Sequence, residues 1–231
     1  MKTVTSYDEE YFKIKQPQLL ELENYVGQPW YTEAVSEVKK SKNGLVLDTG
    51  CGAGKAMKLL NGCEIYGIDI SRSVAEIATQ FGSVVLTEAS NLPFRDTIFS
   101  SVLMIEVIEH MKDKDSTKAL KEAHRVLRKN GQLTIHTQPN GFLGRPFYFL
   151  NRRRLRETGR INTLTPWELK KRILRCNFSI EKFYMRDFLI LRRLERSFFG
   201  NMLKQFLGNR MLAVTRRGVQ KEHSKPVVGY F

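Results

Sequence analysis

Cysteine is scarce. The 231 residues hold three, Cys51, Cys63 and Cys176, an odd number with no C-x-x-C spacing, which excludes a disulfide framework and a cysteine-built zinc site; they are read as free thiols. Long apolar runs are missing as well: nothing approaches the ~18 uninterrupted residues of a membrane-crossing helix, and the start Met1-Lys2-Thr3-Val4-Thr5-Ser6 lacks a secretory core. The expectation is a protein that is not integral to a membrane, cytoplasmic, and able to meet a membrane only from its periphery. Internal repeats and low-complexity tracts are absent. Acids are short at one end only. Residues 145–231 hold 21 Lys+Arg against 6 Asp+Glu, whereas residues 1–144 hold 17 against 18, so the net charge of −1 in the first part becomes +15 in the second. A basic surface can be merely solvated, but such asymmetry also suits an anionic partner.

What is present begins with length and hydrophobicity. A chain of 231 residues, 42% hydrophobic, can bury one sizeable core, and one domain with attachments fits better than two. Its most informative stretch is Asp48-Thr49-Gly50-Cys51-Gly52-Ala53-Gly54. Three glycines at alternate positions follow the apolar run Leu45-Val46-Leu47 and lead into Lys55-Ala56-Met57-Lys58-Leu59-Leu60. That pattern is strand, tight turn, helix, with a backbone that can take positive φ and admit a nucleotide-like ligand where no Cβ intervenes. A second strand, Glu64-Ile65-Tyr66-Gly67-Ile68-Asp69-Ile70, ends in an acid 19 residues beyond Gly50. A βαβ unit presents a carboxylate to ribose hydroxyls at that place. A P-loop is excluded, because G-x-x-x-x-G-K-[ST] ending at Lys55 would need glycine at Thr49 and a hydroxyl at Ala56. An NAD-linked G-x-G-x-x-G fits poorly, since its third glycine falls on Lys55.

From this point the chain resembles the class I S-adenosylmethionine-dependent methyltransferases, of the type 11-like kind, whose first strand ends in an acid followed by G-x-G-x-G. The resemblance continues in order through Glu88-Ala89-Ser90-Asn91-Leu92-Pro93-Phe94, similar to the loop after the family's third strand, and Val102 to His110, similar to its fourth strand. Glu122 to Leu133 is similar to the helix-turn-strand before the fifth. The five segments span about residues 44 to 140. The resemblance implies S-adenosylmethionine as cofactor. It implies that Asp48 orders the first loop, that Gly50, Cys51 and Gly52 let backbone approach the methionine part, and that Asp69 accepts from the ribose. Ile70 would pack on the adenine, Glu88 and Ala89 would meet the adenine edge, where the family more often has aspartate, and Ile105 and Glu106 would line the other side.

Strand and helix patterns alternate from residue 44 onward. Strands are expected near 44–49, 64–69, 83–87, 99–105 and 131–137, with helices near 54–60, 71–81 and 115–129. This predicts an α/β fold, a Rossmann-like, seven-stranded, mostly parallel sheet flanked by helices with an antiparallel last strand. Residues 1–43 are expected to form a helical lead over the cofactor, 44–217 the methyltransferase domain, and 218–231 a loose tail. A threonine cap with proline in the first turn, Thr165-Pro166-Trp167-Glu168, opens a helix ending near Asn177. Strand six is expected over 179–187 and the last strand over 211–215. Two basic inserts, 141–164 with its cluster Arg152-Arg153-Arg154-Leu155-Arg156 and the amphipathic 188–208, leave the carboxyl ends of strands five and six, where such sheets bind ligands. They are expected to wall the acceptor pocket.

Catalytic candidates by position are His110, Glu109 and His136, histidine being best poised to take a proton near neutral pH. Glu106-x-x-Glu109-His110 is also similar to a magnesium-binding motif of quinone and small-RNA methyltransferases, but the further histidine those families use has no counterpart in 158–164, so no metal is expected. Two acceptor classes suit the basic inserts. A lipid or quinone at an anionic membrane surface, favoured by the 188–208 pattern, is the leading reading, and RNA, favoured by net charge with interspersed aromatics such as Tyr148, Phe149 and Trp167, is the alternative acceptor. A non-catalytic module that binds the cofactor and scaffolds a partner is the alternative from another class.

Overall fold

The structure, a computed structural model, describes residues 29–40, 44–138, 162, 164–186 and 210–218. The expected lead over 1–28, nearly all of the 141–164 insert, the 188–208 segment and the tail beyond 218 lie outside the described residues. In chain order the elements are α1 Pro29–Lys40, β1 Leu45–Thr49, α2 Lys55–Leu59, β2 Ile65–Asp69, α3 Arg72–Ala78, β3 Ser83–Leu86, β4 Phe99–Ile105, α4 Asp113–Val126, β5 Leu127–Thr137, α5 Pro166–Arg175, β6 Phe178–Arg186 and β7 Arg210–Arg217. One seven-stranded sheet runs in the order β3-β2-β1-β4-β5-β7-β6. Every pairing is parallel except those made by β7, which runs antiparallel to both β5 and β6. The order reverses direction between β1 and β4, and ligands of such sheets bind outside the carboxyl ends of the strands at that switch.

The sequence forms this sheet because its central strands carry apolar and small polar residues that can be buried on both faces. All seven residues of β4, Phe-Ser-Ser-Val-Leu-Met-Ile, are buried, as a parallel strand covered on both sides requires. One face packs on α1, α2 and α3 through Val35, Val38, Met57, Leu60 and Ala78. The other packs on α4 and α5 through Ala119, Leu120, Ala123, Leu169 and Ile173. The buried residues of α4 recur at helical spacing, and each fully buried leucine such as Leu120 contributes about 2 kcal/mol relative to exposure. No helix lies between β3 and β4. Tyr66, Phe94 and Phe99 stack edge-to-face there, at centroid distances of 5.9, 6.0 and 5.0 Å, and cover that part of the sheet.

The expected elements occur in the expected order, and the differences sit at their ends. The α4 helix stops at Val126, and β5 begins at Leu127 rather than near 131. Asn130 takes φ +60 ahead of Gly131, and the partnering with β4 jumps from Phe99 with Leu127 to Ser101 with Gln132. A bulge therefore absorbs Lys129-Asn130-Gly131 inside the ladder. The stretch expected as one helix over 71–81 divides into α3 and a 3₁₀ turn at Thr79–Phe81.

Candidate active site

The turn after β1 is held from three sides. Thr49 Oγ1 donates to the Leu103 carbonyl at 2.7 Å, Cys51 N–H donates to the Ile68 carbonyl at 2.9 Å, and Gly54 N–H donates to Cys51 O at 2.9 Å. Gly50 and Gly52 have φ of +68 and +52, a region that residues with a Cβ rarely enter. A Cβ on Gly50 would also stand 2.6 Å from Val107 Cγ2, whereas one on Gly52 would meet nothing within 4 Å. The first glycine is thus required by packing on the loop after β4. The second leaves bare backbone beside open space.

Asp69, the last residue of β2, ties this turn to the next strand. Its Oδ2 accepts from Gly52 N–H and its Oδ1 from Ser71 N–H, both at 2.9 Å. The Ile70 amide adds a third bond, and since a carboxylate offers about four acceptor positions, capacity remains for a ligand. Burial holds the Asp69 carboxyl above its ordinary range despite these amides. Ile70 follows with 48% of its surface exposed. Asp48 lies beneath, 3% exposed, its pKa pushed up to about 8 by burial and by the neighbouring charge of Asp69. Tyr31 of α1 reaches the same floor. Its hydroxyl is raised above the usual range by burial and by Asp48, and it takes a backbone hydrogen bond from Ala56 at the start of α2. The Cys51 thiol is likewise raised, by burial and then by the two carboxylates.

At the tips of β4 and β5 the Glu-x-x-Glu-His run divides. Glu106 has φ +55; its Oε1 lies 3.1 Å from His136 Nδ1, its Oε2 accepts from Gln138 Nε2 at 2.8 Å, and its amide donates to His136 O at 2.9 Å. Glu109 is fully buried. It accepts from Thr137 Oγ1 at 2.7 Å, and its carbonyl accepts from Asn162 N–H at 2.9 Å. His136 and Thr137 are neighbours on a strand and point to opposite faces, so the two glutamates grip opposite faces of β5 and do not converge. Among the described residues no group of three or more His, Cys, Asp or Glu could hold a metal ion. His110 is half-buried in the 3₁₀ turn Ile108–His110. Ile105 is 8% exposed and Ala89 also 8%, while Glu88 is exposed and accepts from Ser90 Oγ at 3.1 Å.

The structure therefore links Asp48, Gly50, Cys51, Gly52 and Asp69 into one unit with Ile70 on its rim. It joins Glu106 to His136, and sets Glu109 apart from both. The residues present fit a nucleoside with a ribose diol, because bare backbone at Gly52 borders open space, a carboxylate with remaining acceptor capacity stands beside it, and an exposed aliphatic side chain follows. Sequence reasoning missed Tyr31, Gly67 and Arg125. Gly67 interrupts an apolar strand, a signal of close approach, and a Cβ there would lie 2.9 Å from Cys51 Sγ. Arg125 fixes the 87–98 loop by donating to Glu122, to Asp96 and to the carbonyls of Phe94 and Leu92. Nothing local in the sequence marks that role.

Comparison with known proteins gives this geometry a context. Residues 47–135 match the family model described as a methyltransferase domain. Over 94 residues the chain is 40% identical to a Mus musculus protein named "Probable tRNA methyltransferase 9B", covering 40% of this chain and 21% of that one. It is 35% identical over 115 residues to O-methyltransferase resE of Aspergillus sclerotiorum, covering 45% and 43%. The chain thus spans about a fifth of the length of the first relative and under half of the second. The crystal structure of a SAM-dependent methyltransferase from Thermotoga maritima superposes with TM-score 0.63 at 23% identity, covering 90% of this chain and 97% of that one. That likeness shows the fold.

Proposed function

We propose that this chain, a class I S-adenosylmethionine-dependent methyltransferase in its residues 47–135, transfers a methyl group to an RNA acceptor. The observation that carries the cofactor half is the Gly52–Asp69 linkage, which fixes bare backbone and a carboxylate at adjacent strand tips. S-adenosylmethionine, when bound, supplies an electrophilic methyl group on a sulfonium. Gly50, Cys51 and Gly52 would meet its methionine part, Asp69 its ribose hydroxyls and Ile70 its adenine. Glu88 and Ala89 would sit at the adenine edge, with Ile105 and Glu106 on the other side. The protein's task is to position and desolvate.

For the acceptor, His136 receives the proton released as its oxygen or nitrogen takes the methyl group, and Glu106 orients the imidazole from 3.1 Å. His110 and Glu109 take no part in this reading, Glu109 being spent on Thr137. The +15 charge of residues 145–231 favours a polyanion, and the mouse relative carries a tRNA methyltransferase name. The lipid or quinone reading rests on the 188–208 pattern, which lies outside the described residues. No described helix is long and apolar enough to cross a membrane. Incubation with methyl-labelled S-adenosylmethionine and cell extract, followed by separation of RNA, lipid and protein, tests the proposal. Label is expected in RNA. Label confined to lipid or protein removes the acceptor, and cofactor binding without turnover leaves the scaffold.

A further inference from the structure

The α5 helix presents to solvent a face that its own fold does not use. Leu169 and Ile173 turn inward and are fully buried. On the opposite side stand Trp167 and Leu174, 72% and 50% exposed, seven residues apart and therefore on one stripe. Lys170, Lys171 and Arg175 flank them and are all exposed. Among the described residues none of these three cations is in an ion pair, whereas Arg172, at the edge of the face, is spent on Asp113 at 2.8 Å. The helix's one acid, Glu168, is turned back into the capping box with Thr165, its Oε2 accepting from Thr165 N–H at 2.8 Å. Among the described residues the face is thus cationic, with an exposed indole and no acid paired to its three cations. An indole left 72% exposed gains nothing from the core, so packing does not account for it.

The helix is also placed for access to the cleft. Because β6 runs parallel to β5, the α5 helix that precedes it descends from the carboxyl-end side of the sheet, and its first turn, with Trp167, stands on the side of the glycine turn and of Glu106. Asn162, five residues before Trp167, bonds to the Glu109 carbonyl, and the capping box at Thr165 and Glu168 fixes the first turn. The segment leading into α5 is thereby tied to the loop after β4 at Glu109, and the first turn so capped carries Trp167.

We infer that the Trp167–Lys170–Lys171–Leu174 face of α5 docks single-stranded RNA beside the cleft, with an unstacked base on the Trp167 ring and phosphates on Lys170, Lys171 and Arg175. Single-stranded nucleic acid is held by this combination of aromatic platform and cations, with no sequence reading required. A membrane surface is the weaker occupant, because the face carries two apolar side chains on a ten-residue helix, too little to bury in an acyl boundary. The inference rests on the RNA reading of the acceptor and names where that RNA is held.

The test is fluorescence anisotropy with labelled bulk tRNA across a salt series on the intact chain, beside flotation with vesicles of phosphatidylglycerol and phosphatidylcholine. Lys170→Glu with Lys171→Glu is expected to weaken tRNA binding at least tenfold and to reduce the log–log salt slope by about 1.4, two single-strand phosphates' worth. Trp167→Ala is expected to weaken it about five- to a hundredfold, and Trp167→Leu by as much, since leucine keeps the apolar area but cannot stack. Thermal midpoint and S-adenosylmethionine affinity should not move, the substituted side chains being exposed. Unchanged tRNA affinity in these variants, affinity retained by Trp167→Leu, or wild-type binding to vesicles but not to tRNA overturns the inference. Sensitive tRNA binding by a chain that does not bind S-adenosylmethionine would instead sink the methyltransferase proposal and leave the docking face standing.

Discussion

Glu106 Oε1 stands 3.1 Å from His136 Nδ1, and the Glu106 amide donates to the His136 carbonyl at 2.9 Å. Backbone and side chain of one residue thus fix the same partner, and they do so from φ +55, a conformation that costs a non-glycine residue about 1 kcal/mol or more and persists only where the surroundings enforce it. If the pair moves a proton, His136→Ala should lower kcat for RNA methylation by about 10²- to 10⁴-fold and leave S-adenosylmethionine affinity within a factor of about two. Glu106→Gln, which keeps the shape and removes the charge, should lower kcat by less. Steady-state kinetics with separate cofactor titration checks this; an unaltered kcat in His136→Ala would remove the base.

Arg125 predicts a structural effect with a functional echo. Its guanidinium serves Glu122, Asp96 and two loop carbonyls, while Glu122 also accepts from Leu92 N–H at 2.9 Å. The Arg125 guanidinium holds the Glu122 carboxyl below its ordinary range against the opposing effect of burial. Arg125→Ala strands these partners and is expected to cost about 2 kcal/mol in urea unfolding. It should also weaken cofactor binding several-fold, because the loop it fixes carries Glu88 and Ala89. A variant as stable as wild type would show that the contacts contribute nothing net.

Asp48 makes stability depend on pH. Its folded-state pKa of about 8 lies above the ordinary value of 3.8, so between roughly pH 4 and pH 8 the native state holds a proton that the unfolded chain has released. This contribution is fully present below pH 4 and is lost as pH rises through 8, at up to about 1.4 kcal/mol per pH unit. Asp48→Asn, which mimics the protonated acid, should flatten the stability profile across that window and gain most over wild type near pH 8. Urea unfolding at pH 5, 6.5 and 8 measures it, and parallel profiles for the two proteins would contradict the burial argument.

The parts of the molecule legible in its sequence are those set by local backbone needs. Alternate glycines after an apolar run require a positive-φ turn, and an acid at the end of the next strand falls at its tip by spacing alone, so Gly50, Gly52 and Asp69 could be located together. The Thr165–Glu168 cap was legible for the same reason. Long-range pairing was not. Tyr31 meets Asp48 across a helix–sheet contact, and Arg125 reaches a loop some thirty residues earlier in the chain; neither leaves a periodic trace. Glu106 and Glu109, three residues apart, look in sequence like neighbours on one ligand. Only the alternation of His136 and Thr137 on β5 shows that they serve opposite faces. The bulge around Asn130 escaped because a strand with inserted residues reads as a turn followed by a shorter strand.

The tether at Asp69 governs the whole account, since the glycine turn and the ribose site share its carboxylate. Isothermal titration of the intact protein with S-adenosylmethionine, beside Asp69→Ala checked for an unchanged fold by circular dichroism, tests it most directly. Wild type should bind at one site, and the variant should lose about a hundredfold in affinity with the removal of hydrogen bonds to a charged group. A wild type that takes up no S-adenosylmethionine, or a folded Asp69→Ala that binds it equally well, would contradict the assignment of this cleft.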